Sequence, residues 1–281
     1  MTDNSNLALD YCRDLALLPG SVFEFTSRFV PEVQMEPLLP LYALIHAVGG
    51  IPQSQTDDSV KWAKLKWWSE ELSADPGSST RHPVLRALWM SGARMRLDDP
   101  LLMRLVRDAL LQIDTVPDSD EQVMFERLSE LGDTDIQLEL ALDNAEIDVQ
   151  SQKFLAAASR CFSLISGFSA GQLSDTPRLP LSLLAKYSVS STQLEQGEGK
   201  SELTKIISRL TEDALDWFEE GMSGLSKSAT PTAGKHLRLR WAMERRSLEF
   251  IRQNVPGFLA KGKRFGPADA WFAWRFVRKA G

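Results

Sequence analysis

Leu41-Tyr42-Ala43-Leu44-Ile45-His46-Ala47-Val48-Gly49-Gly50-Ile51-Pro52-Gln53 is the stretch on which the reading of this chain turns. Through Val48 it is apolar and rich in good helix formers, and Tyr42 and His46 lie one helical turn apart on a shared face. Two glycines and Pro52 then stop the helix, because proline lacks an amide donor and disfavours helical backbone in the residue before it. The positions that follow Tyr42 and His46 along the chain, Gly49, Gly50 and Gln53, bring no charged side chain.

Outward from this segment, apolar residues recur at three- and four-residue spacing with no series of alternating β-branched segments, so the predicted fold is all-α. Helices are expected at about 6–18, 21–29, 37–48, 57–74, 83–91, 99–112, 119–130, 134–146, 150–168, 180–187, 200–225, 233–253 and 267–279. Turn chemistry separates them at Leu18-Pro19-Gly20, at Gly49 to Pro52, at Asp75 to Ser79 and around Pro117. Gln193 to Lys200 reads as an exposed loop, and Thr56-Asp57-Asp58 as an N-terminal cap for the helix that follows. Helical patterning continues across the loop without a change of character, which favours one domain over residues 1–281.

The chain has 32 basic and 38 acidic residues, a net charge of −6, and this excludes a general nucleic-acid binder with a dominant cationic surface. Cys12 and Cys161 have no neighbour at metal-ligand or redox spacing, so neither a disulfide framework nor a zinc site is expected. Met1 to Asp14 lacks the pattern of a secretory signal, and no apolar run reaches the roughly 20 residues of a membrane span. The expected location is cytoplasmic, with any membrane contact peripheral and at the inner face.

Further segments sit at telling distances from the opening one: Phe23 to Pro31 before it, Lys64-Leu65-Lys66-Trp67-Trp68-Ser69-Glu70-Glu71-Leu72 and His82-Pro83-Val84 after it. Taken together, from about Ser21 to Leu184, they resemble the squalene/phytoene synthase family. The Leu-x-Trp-Trp-x-x-Glu-Leu helix followed by His-Pro-Val is similar to a divergent branch that includes a mitochondrial assembly factor for the respiratory NADH dehydrogenase. The resemblance implies a helical isoprenoid-synthase-like bundle with a central cavity, in which two Asp-rich helices hold magnesium against a prenyl diphosphate. In the first of these motifs the acidic positions read Gly49, Gly50 and Gln53. In the second, expected within Ala156 to Pro180, one acid, Asp175, stands where the family shows Asn-x-x-x-Asp-x-x-x-Asp, and the Arg before it is missing.

The same resemblance assigns Phe23, Tyr42 and His46 to substrate binding, His46 replacing a basic residue near the diphosphate end; an ordinary half-buried pair is the competing reading of Tyr42 and His46. Displaced carboxylates are the other source of metal ligands: Asp57 and Asp58, or the series Asp133, Asp135, Glu139, Asp143 and Glu146. Helix caps and solvated acidic faces are the ordinary outcome for such patterns and are expected here. His82 reads as structural at a helix start, and His236, inside the basic run Lys235 to Arg240, as exposed. Trp62, Trp67, Trp68, Trp89, Trp241, Trp271 and Trp274 read chiefly as core filling, and one helix face is shared by Lys61, Lys64 and Trp68. Residues 261–279 mix cations with aromatics and suit either an anionic bilayer surface or a closing helix on the core.

The expected function is therefore non-catalytic: an isoprenoid- or lipid-binding protein or an assembly factor, with no cofactor, and with a protein partner in respiratory complex assembly as the resemblance implies. The alternative is an active head-to-head prenyl transferase that takes magnesium on Asp57, Asp58, Asp133 and Asp135.

Overall fold

Amphipathic helices of this length bury their apolar stripes only against one another, and the architecture follows from that. The structure, a computed structural model, describes residues 2–74, 82–113, 116–169, 179–227 and 234–279, and among these residues every regular element is helical. In chain order the α-helices are α1 (Thr2–Ala16), α2 (Val22–Ser27), α3 (Glu32–Gly49), α4 (Asp58–Ser73), α5 (Pro83–Met90), α6 (Asp99–Ile113), α7 (Glu121–Asp143) and α8 (Val149–Gly167). They continue as α9 (Leu181–Lys186), α10 (Ser191–Glu195), α11 (Lys200–Lys227), α12 (Lys235–Gln253), α13 (Val255–Lys261) and α14 (Pro267–Lys279), with one 3₁₀ turn at Ala93–Arg96.

Helix α7 joins two apolar cores. Leu138 and Leu142 enter a core built from α1, α3, α4, α5 and α6, around Leu41, Leu44, Leu65, Leu88 and Leu102. Met124, Leu128, Ile136 and Leu140 enter the other, with α8, α11 and α12, around Leu155, Ile165, Phe218 and Trp241. Because one helix serves both sides, its remaining inward positions lie at the seam, and Glu139 occupies one of them at 1 % exposure. A third, smaller core joins α2, α12 and α14 through Val22, Phe25, Leu239, Met243 and Ala273.

Several expectations are corrected. The predicted helices 119–130 and 134–146 are one helix, because Gly132 is not a break but a crossing point. A Cβ there would sit 2.5 Å from the Ala156 carbonyl oxygen, so glycine lets α8 press its run Ala156-Ala157-Ala158 against α7. Helix α3 starts at Glu32 rather than at residue 37 and runs through buried Pro37 and Pro40. The expected loop at Gln193 to Lys200 contains the end of α10, which Ser190 and Gln193 open with a reciprocal capping box. Helix α13 was also unforeseen; Asn254 caps it by accepting from Gly257 N at 2.9 Å. Asp57 occupies the N-cap position of α4 but its side chain caps no amide, while Asp58 pairs with Lys61 at 3.0 Å. Trp68 and Trp241 are buried, but Trp62, Trp67, Trp271 and Trp274 are exposed, so core filling explains only part of the aromatic load.

Candidate functional site

Four helices bring polar side chains together at the seam between the two larger cores. Helix α3 contributes Tyr42, α7 contributes Glu139, α2 contributes Phe23 and Thr26, and α12 contributes His236, Arg240 and Glu244 at successive four-residue steps on one face. The Tyr42 hydroxyl donates to Glu139 Oε2 at 2.7 Å, and His236 Nδ1 donates to Oε1 of the same carboxylate at 2.6 Å. His236 Nε2 lies 3.2 Å from the Thr26 hydroxyl, which itself donates to the Phe23 carbonyl at 3.3 Å. With the Thr26 hydrogen directed there, the two ring nitrogens of His236 face the Thr26 hydroxyl oxygen on one side and the Glu139 carboxylate on the other.

Arg240 completes the cluster. Its Nη2 is 3.8 Å from Glu139 Oε2, its Nε is 3.8 Å from Glu244 Oε1, and its guanidinium stands 5.7 Å from the centre of the Tyr42 ring. Glu244 also accepts from the Ser159 hydroxyl of α8 at 2.6 Å. Phe23 stacks on Tyr42 with ring centres 3.6 Å apart and planes within 7°. Burial works against the charge on Glu139, but Arg240, His236 and the Tyr42 hydroxyl outweigh it and hold the carboxyl down at about 2. Burial likewise works against Arg240, and here Tyr42 and the surrounding carboxylates prevail and raise it. On Glu244 burial prevails over Arg240 and Ser159 and pushes the carboxyl up. Tyr42 is driven well above its ordinary range, first by burial.

Two sequence-based readings are overturned by this cluster. His236 is not exposed with its basic neighbours; it is 2 % exposed, because α12 buries the broad face that also carries Leu237, Trp241 and Leu248. The acidic series along α7 and just past its end is not a solvated face throughout. Glu139 sits in the seam, Asp135 pairs with Arg160 at 2.7 Å, and Asp133 pairs with Arg104 at 2.7 Å while also accepting from Gln152. Asp143 and Glu146 are the members that face solvent. Arg240 and Glu244 escaped notice in the sequence, although their four-residue spacing from His236 was visible there.

His46 points elsewhere. Its Nδ1 donates to the Leu15 carbonyl of α1 at 2.9 Å, and its ring is edge-on to Tyr42 with centres 6.3 Å apart. Gly49 closes α3 and Gly50 caps it; a Cβ on Gly50 would meet the His46 carbonyl oxygen at 2.9 Å. Gln53 follows in the turn before α4, and Asp175 lies outside the described residues. A separate open groove of about 580 Å³ runs between α1, α3, α4 and α5, walled by Tyr11, Leu15, Trp67, Trp68 and His82, with Lys64 at its side. His82 accepts from Val84 N at 3.2 Å and so caps α5, and burial lowers its pKa.

Magnesium wants hard oxygen ligands, preferably uncommitted carboxylates. Here Glu139 is engaged by Arg240 and by donors from Tyr42 and His236, Asp133 and Asp135 are paired with Arg104 and Arg160, and Asp57 and Asp58 stand at the exposed start of α4. Among the described residues no three His, Cys, Asp or Glu side chains are placed to hold a metal ion, so this donor set does not fit magnesium.

The architecture around this seam is the helical isoprenoid-synthase fold of squalene and dehydrosqualene synthases. A dehydrosqualene synthase solved in complex with a ligand superposes with a TM-score of 0.73, covering 98 % of this chain and 97 % of its own, at 15 % identity. The squalene synthase HpnC from Alicyclobacillus acidocaldarius gives a TM-score of 0.67 over 89 % of this chain and 94 % of its own, at 18 % identity. At such identities the likeness is one of fold. No protein-family model matches the chain, and no curated protein matches it.

Proposed function

We propose that this chain uses a squalene-synthase-like fold without metal-dependent synthase chemistry, and that it holds an isoprenoid or other lipid tail as a binding or assembly factor. The observation that carries this reading is the state of Glu139. The inward carboxylate of α7 is already satisfied by Tyr42, His236 and Arg240, and at and just after the end of α3 the chain carries Gly49, Gly50 and Gln53 in place of acids. Pulling Glu139 onto a metal would take from buried Arg240 one of its two carboxylate partners, and from Tyr42 and His236 the acceptor they share, which is costly. In this reading the stacked Phe23 and Tyr42 form one wall, and His46, held to the Leu15 carbonyl, stands behind it with its ring edge-on to Tyr42. The protein is then a cytoplasmic binding factor whose partner, by the sequence resemblance, belongs to the assembly of a respiratory complex.

The test is calorimetric titration with a non-hydrolysable farnesyl diphosphate analogue, with and without magnesium. Binding that does not change with magnesium supports a lipid-holding role; binding that requires magnesium overturns it. The likeness in fold to two synthases keeps a second reading in view, an active head-to-head prenyl transferase drawing ligands from Asp57, Asp58, Asp133 and Asp135. It requires that D57N/D58N abolish magnesium-dependent turnover.

A further inference from the structure

The outer face of α14 carries two tryptophans and two arginines that nothing in the fold explains. Ala270, Phe272, Ala273, Phe276 and Val277 turn toward α2 and α12 and complete the third core, with Phe265 stacked on Phe25 at 4.4 Å just before the helix. The opposite face presents Trp271 at 58 % and Trp274 at 49 % exposure, together with exposed Arg275 and Arg278. Each arginine lies four residues after a tryptophan and rests over it: Arg275 is 5.2 Å from the ring centre of Trp271, and Arg278 is 4.5 Å from that of Trp274. Leaving two indoles in water forgoes the burial they could gain, and the core face of α14 is already filled without them.

Charge gives the direction. Residues 261–279 hold six cations against the single carboxylate Asp269, in a chain whose net charge is −6. Asp269 is fully used inside the fold, pairing with Arg246 at 2.8 Å and with Lys263 at 3.2 Å, so it does not offset the outer face. Indoles settle at the level of lipid headgroups, with the apolar ring inward and the N–H toward water, and arginine over the ring can reach a phosphate bidentately. No described helix is long and apolar enough to cross a membrane, so the contact is with the surface.

We infer that α14 docks the protein on an anionic phospholipid surface, Trp271 and Trp274 entering the headgroup layer while Arg275 and Arg278 pair with lipid phosphates. The inference is independent of what the interior binds. Flotation of the full chain with phosphatidylglycerol-containing vesicles, and with phosphatidylcholine vesicles alone, tests it. The expected result is binding to the anionic vesicles only, weakened by salt, with R275E/R278E lowering the partition at least about tenfold and W271A/W274A also lowering it. Quenching of tryptophan fluorescence by brominated lipid should accompany binding and be lost in W271F/W274F, which keeps the aromatic surface. Absence of vesicle binding, binding unaffected by either pair of substitutions, or quenching that survives W271F/W274F would overturn the assignment; so would self-association or capture of a protein through this face without lipid binding.

Discussion

Replacing Glu139 by Gln keeps the shape of the side chain and removes the one charge on which the seam converges. In the folded chain that carboxyl is lowered from 4.5 to about 2. A difference of about 2.5 units corresponds to about 3 kcal/mol of stabilisation at neutral pH, similar to the roughly 3–5 kcal/mol lost when one partner of a buried ion pair is removed. The group is almost wholly buried, so solvent screening takes little from this figure. Because the folded pKa is depressed, the contribution is fully present above the unfolded value of 4.5 and is lost as pH falls toward 2. Urea unfolding of wild type and E139Q should therefore show a gap of about 3 kcal/mol near pH 7 that narrows progressively between about pH 4.5 and pH 2. A gap below about 1 kcal/mol at neutral pH, or one that does not change with pH, would refute the description of Glu139 as a buried anion held by Arg240 and His236.

Other consequences follow from the same contacts. Tyr42→Phe keeps the stacking on Phe23 but deprives Glu139 of a donor, and chemical denaturation should show a loss of about 1.5–3 kcal/mol. Gly132→Ala places a methyl 2.5 Å from the Ala156 carbonyl and should cost about 1–3 kcal/mol, whereas Gly49→Ala, with open space around it, should leave stability unchanged or raise it by up to about 1 kcal/mol in the same assay. Asp213 on α11 is raised to about 6, first by burial and then by Glu121, Asp216 and Glu212, against the opposing Arg209. Its folded pKa exceeds the unfolded 3.8, so this group adds stability as pH falls from above 6 toward 4. In D213N that part of the dependence of melting temperature on pH should vanish, with the variant gaining on wild type at alkaline pH.

Much of the fold was legible because helical periodicity and turn residues agree. Helix α14 lies where it was expected, and Pro83 begins α5 after His82 as the residues implied. The failures are local rules overridden by packing. Gly132 looks like a break until α8 is seen lying against it, and Asp57 sits at a helix start without its carboxylate turning back to the amides. The candidate site was harder to read. Tyr42 and Glu139 were visible as isolated residues, yet they are 97 positions apart, as are Glu139 and His236. Periodicity identifies the face on which a residue lies, not the residue it will meet across a bundle. A histidine in a run of cations therefore predicts an exposed side chain, although its four-residue spacing to Arg240 and Glu244 places all three on one stripe. Trp271 and Trp274 show the opposite error, since aromatic content alone suggested a core that the geometry of α14 does not give them.

The most direct test of the central proposal is turnover. The full chain would be incubated with farnesyl or geranylgeranyl diphosphate and magnesium, and release of inorganic diphosphate followed over time. The expected result is no release above the protein-free control, with the prenyl diphosphate recovered intact from the protein-bound fraction. Sustained magnesium-dependent release, accompanied by a condensed prenyl product, would contradict it and show that this fold still performs synthase chemistry here.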